Sequence, residues 1–213
     1  MRTLLSKTTL FCFALLVTSS FYYFFDIFWE HFFSTTEIVF YLLKEPILRE
    51  STLFNLALSA HIGATFYILV VGLYLIFSGA FRWSLSVHKF LGMIYFALVT
   101  FLAAPGGLVL AFYSFGSVIS SVTFFVFSLI WFFTAIFGYL AIKQRKLERH
   151  AHYMLANYSI ALIAPMQRLC GYLAYQLFGV GLEGNLYDAV NLLSFAMAGV
   201  VFAFLKNAQK RIF

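Results

Sequence analysis

Long apolar runs separated by short polar segments dominate the chain. About 20 apolar residues are needed to cross the hydrocarbon core of a bilayer as one helix. The short strands of a membrane barrel alternate apolar and polar residues, and these runs do not alternate. The pattern therefore predicts an all-α integral membrane bundle of six transmembrane helices. The six spans lie at about 8–29, 57–79, 90–113, 117–142, 151–177 and 188–205.

Composition supports a membrane protein built as one unit. Of the 213 residues, 63% are hydrophobic and only 10% are charged, whereas soluble domains have about 25% charged residues. We expect residues 1–213 to form a single transmembrane domain in the lipid bilayer. Cys12 and Cys170 both lie in apolar runs, where a thiol usually packs as a small hydrophobic group, so no disulfide is expected.

Basic residues are concentrated on one side of the predicted bundle. If the amino terminus is cytoplasmic, eleven of the fourteen Lys and Arg residues fall on the cytoplasmic side. Positive residues near span ends are retained in the cytoplasm. Both termini are therefore expected to be cytoplasmic. The net charge of +6 does not indicate a nucleic-acid partner, because the charges lie between apolar runs rather than on one solvated face.

Four ionisable side chains fall within or at the edge of the spans, namely His61, His88, His150 and Arg168. Such residues are costly in a membrane, which makes them candidates for function. The alternative is that each is a structural residue satisfied by another helix. For a single histidine this alternative is the more frequent case.

Helical periodicity places several polar residues of the fifth span on one face. His150 and Arg168 are 18 residues apart, which corresponds to five whole turns, and Asn157 projects close to the same direction. An arginine that faced lipid would be very costly, so we expect this face to point into the bundle. His152 projects about 200° away from His150 and is expected to point elsewhere.

The second and third spans also combine a histidine with small residues. His88 shares a face with Gly92 and Gly106, and His61 lies close to the face that carries Thr65 and Gly72. In the segment AAPGGL, Pro105 predicts either a simple packing kink or an opened turn beside a cavity.

Several segments resemble an uncharacterised bacterial membrane-protein family, domain of unknown function 2306. They are HIGATFYILVVGLYLIF from residue 61, FRWSLSVHKFLGMIY from 81, FSLIWFFTAIFGYLAI from 127 and ERHAHYMLANYSIALIAPMQR from 148. The resemblance implies a multi-pass protein of the bacterial inner (plasma) membrane. It also implies functional roles for His61, Arg82, His88, Gly92, Tyr95, His150, Met154 and Arg168.

The family is in turn distantly similar to membrane b-type cytochromes with two haems, which use four histidines on four central helices. The fourth span of this chain, SVTFFVFSLIWFFTAIFGYLAI, contains no histidine. Two complete sites with two histidines each therefore cannot be built at equivalent positions. The resemblance implies at most one inner haem b, with His88 and His150 as its metal ligands.

Two classes of function follow from these features. The first is an electron-transfer protein, or an oxidoreductase component, that binds a b-type haem and/or a quinone near the cytoplasmic side. Arg82 or Arg168 would neutralise a haem propionate or bind a quinone carbonyl, and the other candidate cofactor-binding residues are His61, His88, Tyr95, His150 and Asn157. The second is a haem-free subunit that binds lipid or stabilises a larger membrane complex with a partner subunit.

Other activities have weaker support. Met154 lies one turn from His150, and with His88 these side chains offer ligands that suit copper. A proton-coupled transporter is disfavoured because no carboxylate lies at mid-membrane depth. Hydrolase chemistry is not indicated, since no serine or cysteine is paired with an activating base.

Overall fold

The computed structural model describes residues 18, 21–22, 24–34, 44–80, 84–179 and 184–212, and all regular structure in them is helical. The predicted all-α class is confirmed for this part of the chain. The helices are α1 (24–33), α2 (Pro46–Arg49), α3 (Thr52–Ala80), α4 (Leu85–Leu98), a π-helical turn (Val99–Ala103), α5 (Ala104–Ala111), α6 (Val118–Lys143), α7 (Leu147–Ala161), α8 (Ile163–Phe178) and α9 (Gly184–Ile212).

Four helical stretches are long and apolar enough to cross a bilayer. They correspond to the predicted second, third, fourth and sixth spans. The first span, at 8–29, lies largely outside the described residues, so the count of six spans and the cytoplasmic termini stay predictions. We call the end of the bundle that carries His88 and His150 the inner end, and the opposite end the outer end. The four stretches are Thr52–Ser78, Leu85–Ala111, Val118–Lys143 and Gly184–Asn207.

The predicted fifth span, at about 151–177, is interrupted at one residue, so it is built from two helices. Helix α7 ends at Ala161 and α8 begins at Ile163, with Leu162 between them. Pro165 is the physical cause, because it has no N–H to donate to the carbonyl four residues earlier and its ring crowds that carbonyl. Neither half alone reaches the length of a span.

Helix α3 packs against α4, α5 and α7, while α6 packs against α4, α5 and α7. Helices α3 and α6 therefore each pack against both α4 and α7. Helix α9 covers α7 and α8 and also contacts α6. The main apolar core lies where these helices meet, and its fully buried members include Ile68, Leu69, Val99, Ala135, Leu162 and Met166.

A glycine permits the close approach of α3 and α7. A Cβ on Gly72 would lie 2.4 Å from the ring of Tyr158, well inside van der Waals contact. The Tyr158 hydroxyl donates a hydrogen bond to the Leu69 carbonyl at 3.2 Å. Tyr158 of α7 thus packs against the turn of α3 at Gly72, where no side chain is present.

Of the two alternatives for Pro105, a simple kink or an opened turn, the third span shows an opened turn. Residues Val99–Ala103 form a π-helical turn, in which the N–H of Ala104 donates to the carbonyl of Val99. The turn ends just before Pro105, whose missing N–H favours a change in the hydrogen-bond pattern. One extra residue in the turn shifts the register of the backbone carbonyls that face α3.

Lys44 fixes the segment that precedes α2 to the outer end of the bundle. Its ammonium donates to the carbonyl of Tyr113 and lies 3.6 Å from the centroid of the Phe115 ring. Tyr113 and Phe115 belong to the connection between α5 and α6. Burial lowers the pKa of Lys44 from its usual 10.5 to about 8.

The lowered pKa of Lys44 predicts that the free energy of unfolding rises with pH. Between pH 8 and 10.5 the unfolded chain keeps the Lys44 proton and the folded chain loses it, so the free energy of unfolding increases. The increase should be no more than about 1.4 kcal/mol per pH unit. We expect the apparent Tm of the wild-type protein in detergent to rise over this pH window. The apparent Tm of the Lys44→Met protein should rise less steeply. Equal slopes for the two proteins, with Lys89→Met as the matched control, would contradict the assignment.

Candidate functional site

His61 is held against the π-helical turn in the outer half of the bundle. Its Nδ1 donates to the carbonyl of Ala103 at 2.7 Å. Because a carbonyl can only accept, Nδ1 carries the proton and Nε2 of the neutral ring keeps its lone pair. The ring also meets Trp131 edge to face, with the two centroids 6.1 Å apart.

His150, at the inner end of α7, is oriented in the same way. Its Nδ1 donates to the carbonyl of Gly138 on α6 at 2.9 Å. The lone pair of the neutral ring is again on Nε2, for which the described residues supply no hydrogen-bond donor. This is the arrangement of a metal-ligating histidine, whose second nitrogen is fixed by a backbone carbonyl.

His88 is oriented through a hydroxyl instead of a carbonyl. Its Nδ1 lies 2.8 Å from the Oγ of Ser78, and Ser78 donates its own proton to the Leu75 carbonyl at 3.1 Å. When Ser78 donates to Leu75, its oxygen accepts from Nδ1 of His88, and Nε2 then carries the lone pair. When Ser78 donates to Nδ1 instead, the proton of the neutral ring is on Nε2.

His88 and His150 both lie at the inner end, on α4 and α7, which α3 and α6 bridge. Imidazoles are the side chains that ligate the iron of a b-type haem, and both rings are partly buried. Among the described residues no cluster of three or more His, Cys, Asp or Glu side chains could hold a metal ion.

Met154 is packed against α6. A Cβ on Gly138 would lie 2.6 Å from its sulfur, so the thioether fills the space beside the glycine whose carbonyl orients His150. Met154 therefore supports the position of the histidine through packing.

Asn157 lies at the centre of the bundle and is completely buried. Its Oδ1 accepts from the Tyr95 hydroxyl at 2.9 Å and from Trp131 Nε1 at 3.1 Å. Its Nδ2 donates to the Trp131 carbonyl at 2.8 Å and to Thr134 Oγ1 at 2.9 Å. The predicted inward direction of Asn157 is confirmed, and all four hydrogen-bonding positions of its amide are used.

Arg168 lies on α8, in the outer half of the bundle, where it interacts electrostatically with Tyr187 and Glu30. The break at Leu162 removes the straight helix from which a common face with His150 was predicted, so the inward direction of Arg168 stays a prediction.

The remaining predicted residues have mixed outcomes. Tyr95 joins Asn157 in the central network. His152 packs its ring against Phe202 of α9, with centroids 5.2 Å apart, so it points away from His150 as predicted. Arg82 lies outside the described residues.

A second polar cluster, at the outer end, is missing from the sequence-based predictions. The carboxylate of Asp188 accepts from the Ser117 amide at 3.1 Å and from the Ser120 hydroxyl. Asn191 donates to the same hydroxyl at 2.6 Å and accepts from Gln167. These bonds join α6, α8 and α9. Ser117 precedes α6 as its N-cap, which is a signal in the sequence, but its partner on α9 is 71 residues away.

Comparison with known families places this bundle. The model of the family described as "Predicted membrane protein (DUF2306)" matches residues 58–206. The chain belongs to this family. The match covers more than two thirds of the sequence, from α3 to α9, and includes His61, His88, Asn157 and His150. No curated protein and no solved structure matches the chain, so the distant similarity to b-type cytochromes stays a prediction.

Proposed function

We propose that this membrane protein transfers electrons and binds one b-type haem near the inner end, where His88 and His150 would hold the iron through Nε2. The observation that carries the proposal is the orientation of the two rings. Nδ1 of each ring makes a hydrogen bond to a protein group, the Ser78 hydroxyl for His88 and the Gly138 carbonyl for His150, which leaves Nε2 of each ring available to a ligand. A bound haem would supply reversible one-electron chemistry.

The surrounding residues support this proposal in three ways. Ser78 and Gly138 fix the two ring orientations, so little side-chain entropy remains to be lost on ligation. The Phe96 and Tyr139 rings stack with centroids 4.6 Å apart and so join α4, which carries His88, to α6, whose Gly138 carbonyl holds His150. Lys143, whose ammonium lies 5.4 Å from the centroid of Tyr139, is a cation at the inner end suited to a propionate.

Titration of the purified, haem-depleted protein with haem tests the proposal. We expect a Soret band that saturates at one haem per chain, because the proposal assigns one pair of histidines, His88 and His150, to the iron. Absorbance that increases without saturation, or a protein that stays colourless with excess haem, would contradict the proposal.

A second candidate is a haem-free subunit of a larger membrane complex that binds lipid or a partner protein. The observation in its favour is the central network, in which Asn157 is satisfied entirely by protein groups and needs no ligand. Gentle detergent extraction distinguishes the two candidates. A subunit should copurify with the same partner in a fixed ratio, whereas the electron-transfer protein should carry haem whether or not a partner is present.

A further inference from the structure

A short basic loop joins α6 to α7 at the inner end of the bundle. All of residues 142–149 are exposed. They carry four positive charges and one negative charge, that of Glu148. Lys146 donates a hydrogen bond to Oε1 of Gln144, which is neutral, so this contact leaves its charge uncompensated. The loop therefore presents a concentrated positive charge, and its basic residues are Lys143, Arg145, Lys146 and Arg149.

Arg145 ends α6 in a conformation that favours glycine. Its φ is 58°, and it is the only non-glycine residue with a positive φ in the described part of the chain. Its N–H donates to the Ile142 carbonyl at 3.0 Å, and the N–H of Lys146 donates to the Ala141 carbonyl at 2.9 Å. These two bonds form a Schellman motif, in which glycine usually takes the left-handed position. An arginine there strains the backbone, and because Arg145 is exposed, the strain indicates a role for its charge outside the fold.

A further cation reaches the same end of the bundle from α9. Helix α9 packs against α7, and the ring of Phe202 meets His152 of α7 with centroids 5.2 Å apart. Lys206, one turn further along α9, has its ammonium 5.9 Å from the centroid of Phe202. Long basic side chains lie along apolar surface in this way while their charge stays at the membrane boundary. The positive surface therefore includes α9 as well as the loop.

Exposed apolar side chains flank these cations. Leu147, the first residue of α7, is 67% exposed, and Ile142, near the end of α6, is 37% exposed. The stretch of α6 that is apolar enough to span a bilayer ends at Lys143, so the loop begins where the span ends. Cations beside apolar side chains at this level suit a phospholipid, whose phosphate and acyl chains meet there. A soluble polyanion would leave Leu147 in water.

We propose that this inner basic surface, formed by Arg145, Lys146, Arg149 and Lys206, binds the headgroups of anionic phospholipids in the leaflet at the inner end. Charge complementarity carries the proposal. A zwitterionic phospholipid also has a phosphate, but its own ammonium offsets that charge, so it should bind more weakly. The surface is independent of the proposed haem, because none of its four residues is assigned to the iron or to a propionate.

Native mass spectrometry of the full chain, purified in detergent, measures this binding directly. Added phosphatidylglycerol should form saturable adducts. Phosphatidylcholine with the same acyl chains should bind about fivefold more weakly or less tightly still, and higher salt should reduce the difference through screening. Excess inorganic phosphate, at constant ionic strength, should not displace the lipid. Displacement would mean that the surface recognises free phosphate, and the proposal would then be wrong.

Arg145→Gly separates the charge from the fold. Its apparent Tm should rise, because glycine adopts the left-handed conformation without strain. Its affinity for phosphatidylglycerol should nevertheless fall about fivefold, the effect of one cation near the headgroups. Glu148→Gln removes the carboxylate of the same loop and should strengthen binding. Arg49→Gln, which removes a cation from the outer end, is the matched control and should leave the affinity unchanged.

Two results would overturn the proposal. One is an equal affinity of the wild-type protein for the two lipids. The other is an Arg145→Gly protein that binds phosphatidylglycerol as tightly as the wild-type protein, or that loses affinity and apparent Tm together, since Arg145 would then serve the fold alone. A protein that takes up no haem but prefers phosphatidylglycerol would remove the proposed electron-transfer function and leave this surface in place.

Discussion

Purified His150→Ala protein should lack the Soret absorption that the wild-type protein shows with haem. The substitution removes the Nε2 lone pair on α7 and leaves His88 as a single ligand. A haem with one protein ligand is held weakly, and we expect no haem to remain after chromatography. The loss of absorbance should therefore be nearly complete, and His88→Ala should give the same result.

His152→Ala is the matched control for this experiment. His152 lies two residues away on the same helix but packs against Phe202, so its removal should leave the haem absorbance unchanged. His150→Ala also loses the hydrogen bond to Gly138, which is worth about 1 kcal/mol, and a similar apparent Tm would show that the fold is retained. If the His150→Ala protein keeps its haem as the His152→Ala protein does, His150 is not a ligand.

Asn157→Leu should strongly destabilise the bundle. The substitution leaves the Tyr95 hydroxyl and the Trp131 indole N–H without their acceptor and removes a donor from the Trp131 carbonyl and from the Thr134 hydroxyl, which still bond to each other. Side-chain hydrogen bonds between membrane helices average about 0.6 kcal/mol. Four such bonds correspond to about 2–3 kcal/mol, which should be visible as a lower apparent Tm in detergent.

Ser159→Ala provides the comparison for Asn157→Leu. Ser159 is buried on the same helix, but its hydroxyl bonds only to the Leu155 carbonyl of its own helix. We expect its apparent Tm to stay close to the wild-type value. An Asn157→Leu protein as stable as Ser159→Ala would mean that the central network contributes little to folding.

The length of the apolar runs and the helical periodicity are enough to predict much of the bundle. Four of the predicted spans appear as uninterrupted helical stretches, because a run of this length has no other way to satisfy its backbone in a membrane. The burial of Asn157 could be predicted from the rotation of about 100° per residue, applied over the two turns of α7 that separate it from His150. The same angle cannot be carried as far as Arg168, because small errors accumulate over five turns and Pro165 breaks the helix on the way.

The partners of the histidines could not be predicted. Gly138 and Ala103 contribute backbone carbonyls, which leave no signal in the sequence, and their positions depend on how α6 and the π-helical turn pack. Ser78 is ten residues from His88, across the turn between α3 and α4. Asp188 reaches Ser120 only because α9 packs beside α6. These contacts are products of tertiary structure rather than of local pattern.

The absorption spectrum of the purified wild-type protein, reduced with dithionite, tests the central claim most directly. Two imidazole ligands give a low-spin, six-coordinate haem, so the account predicts a sharp α band of a b-type haem at one haem per chain. A protein with no Soret or α band after expression with ample haem would contradict it.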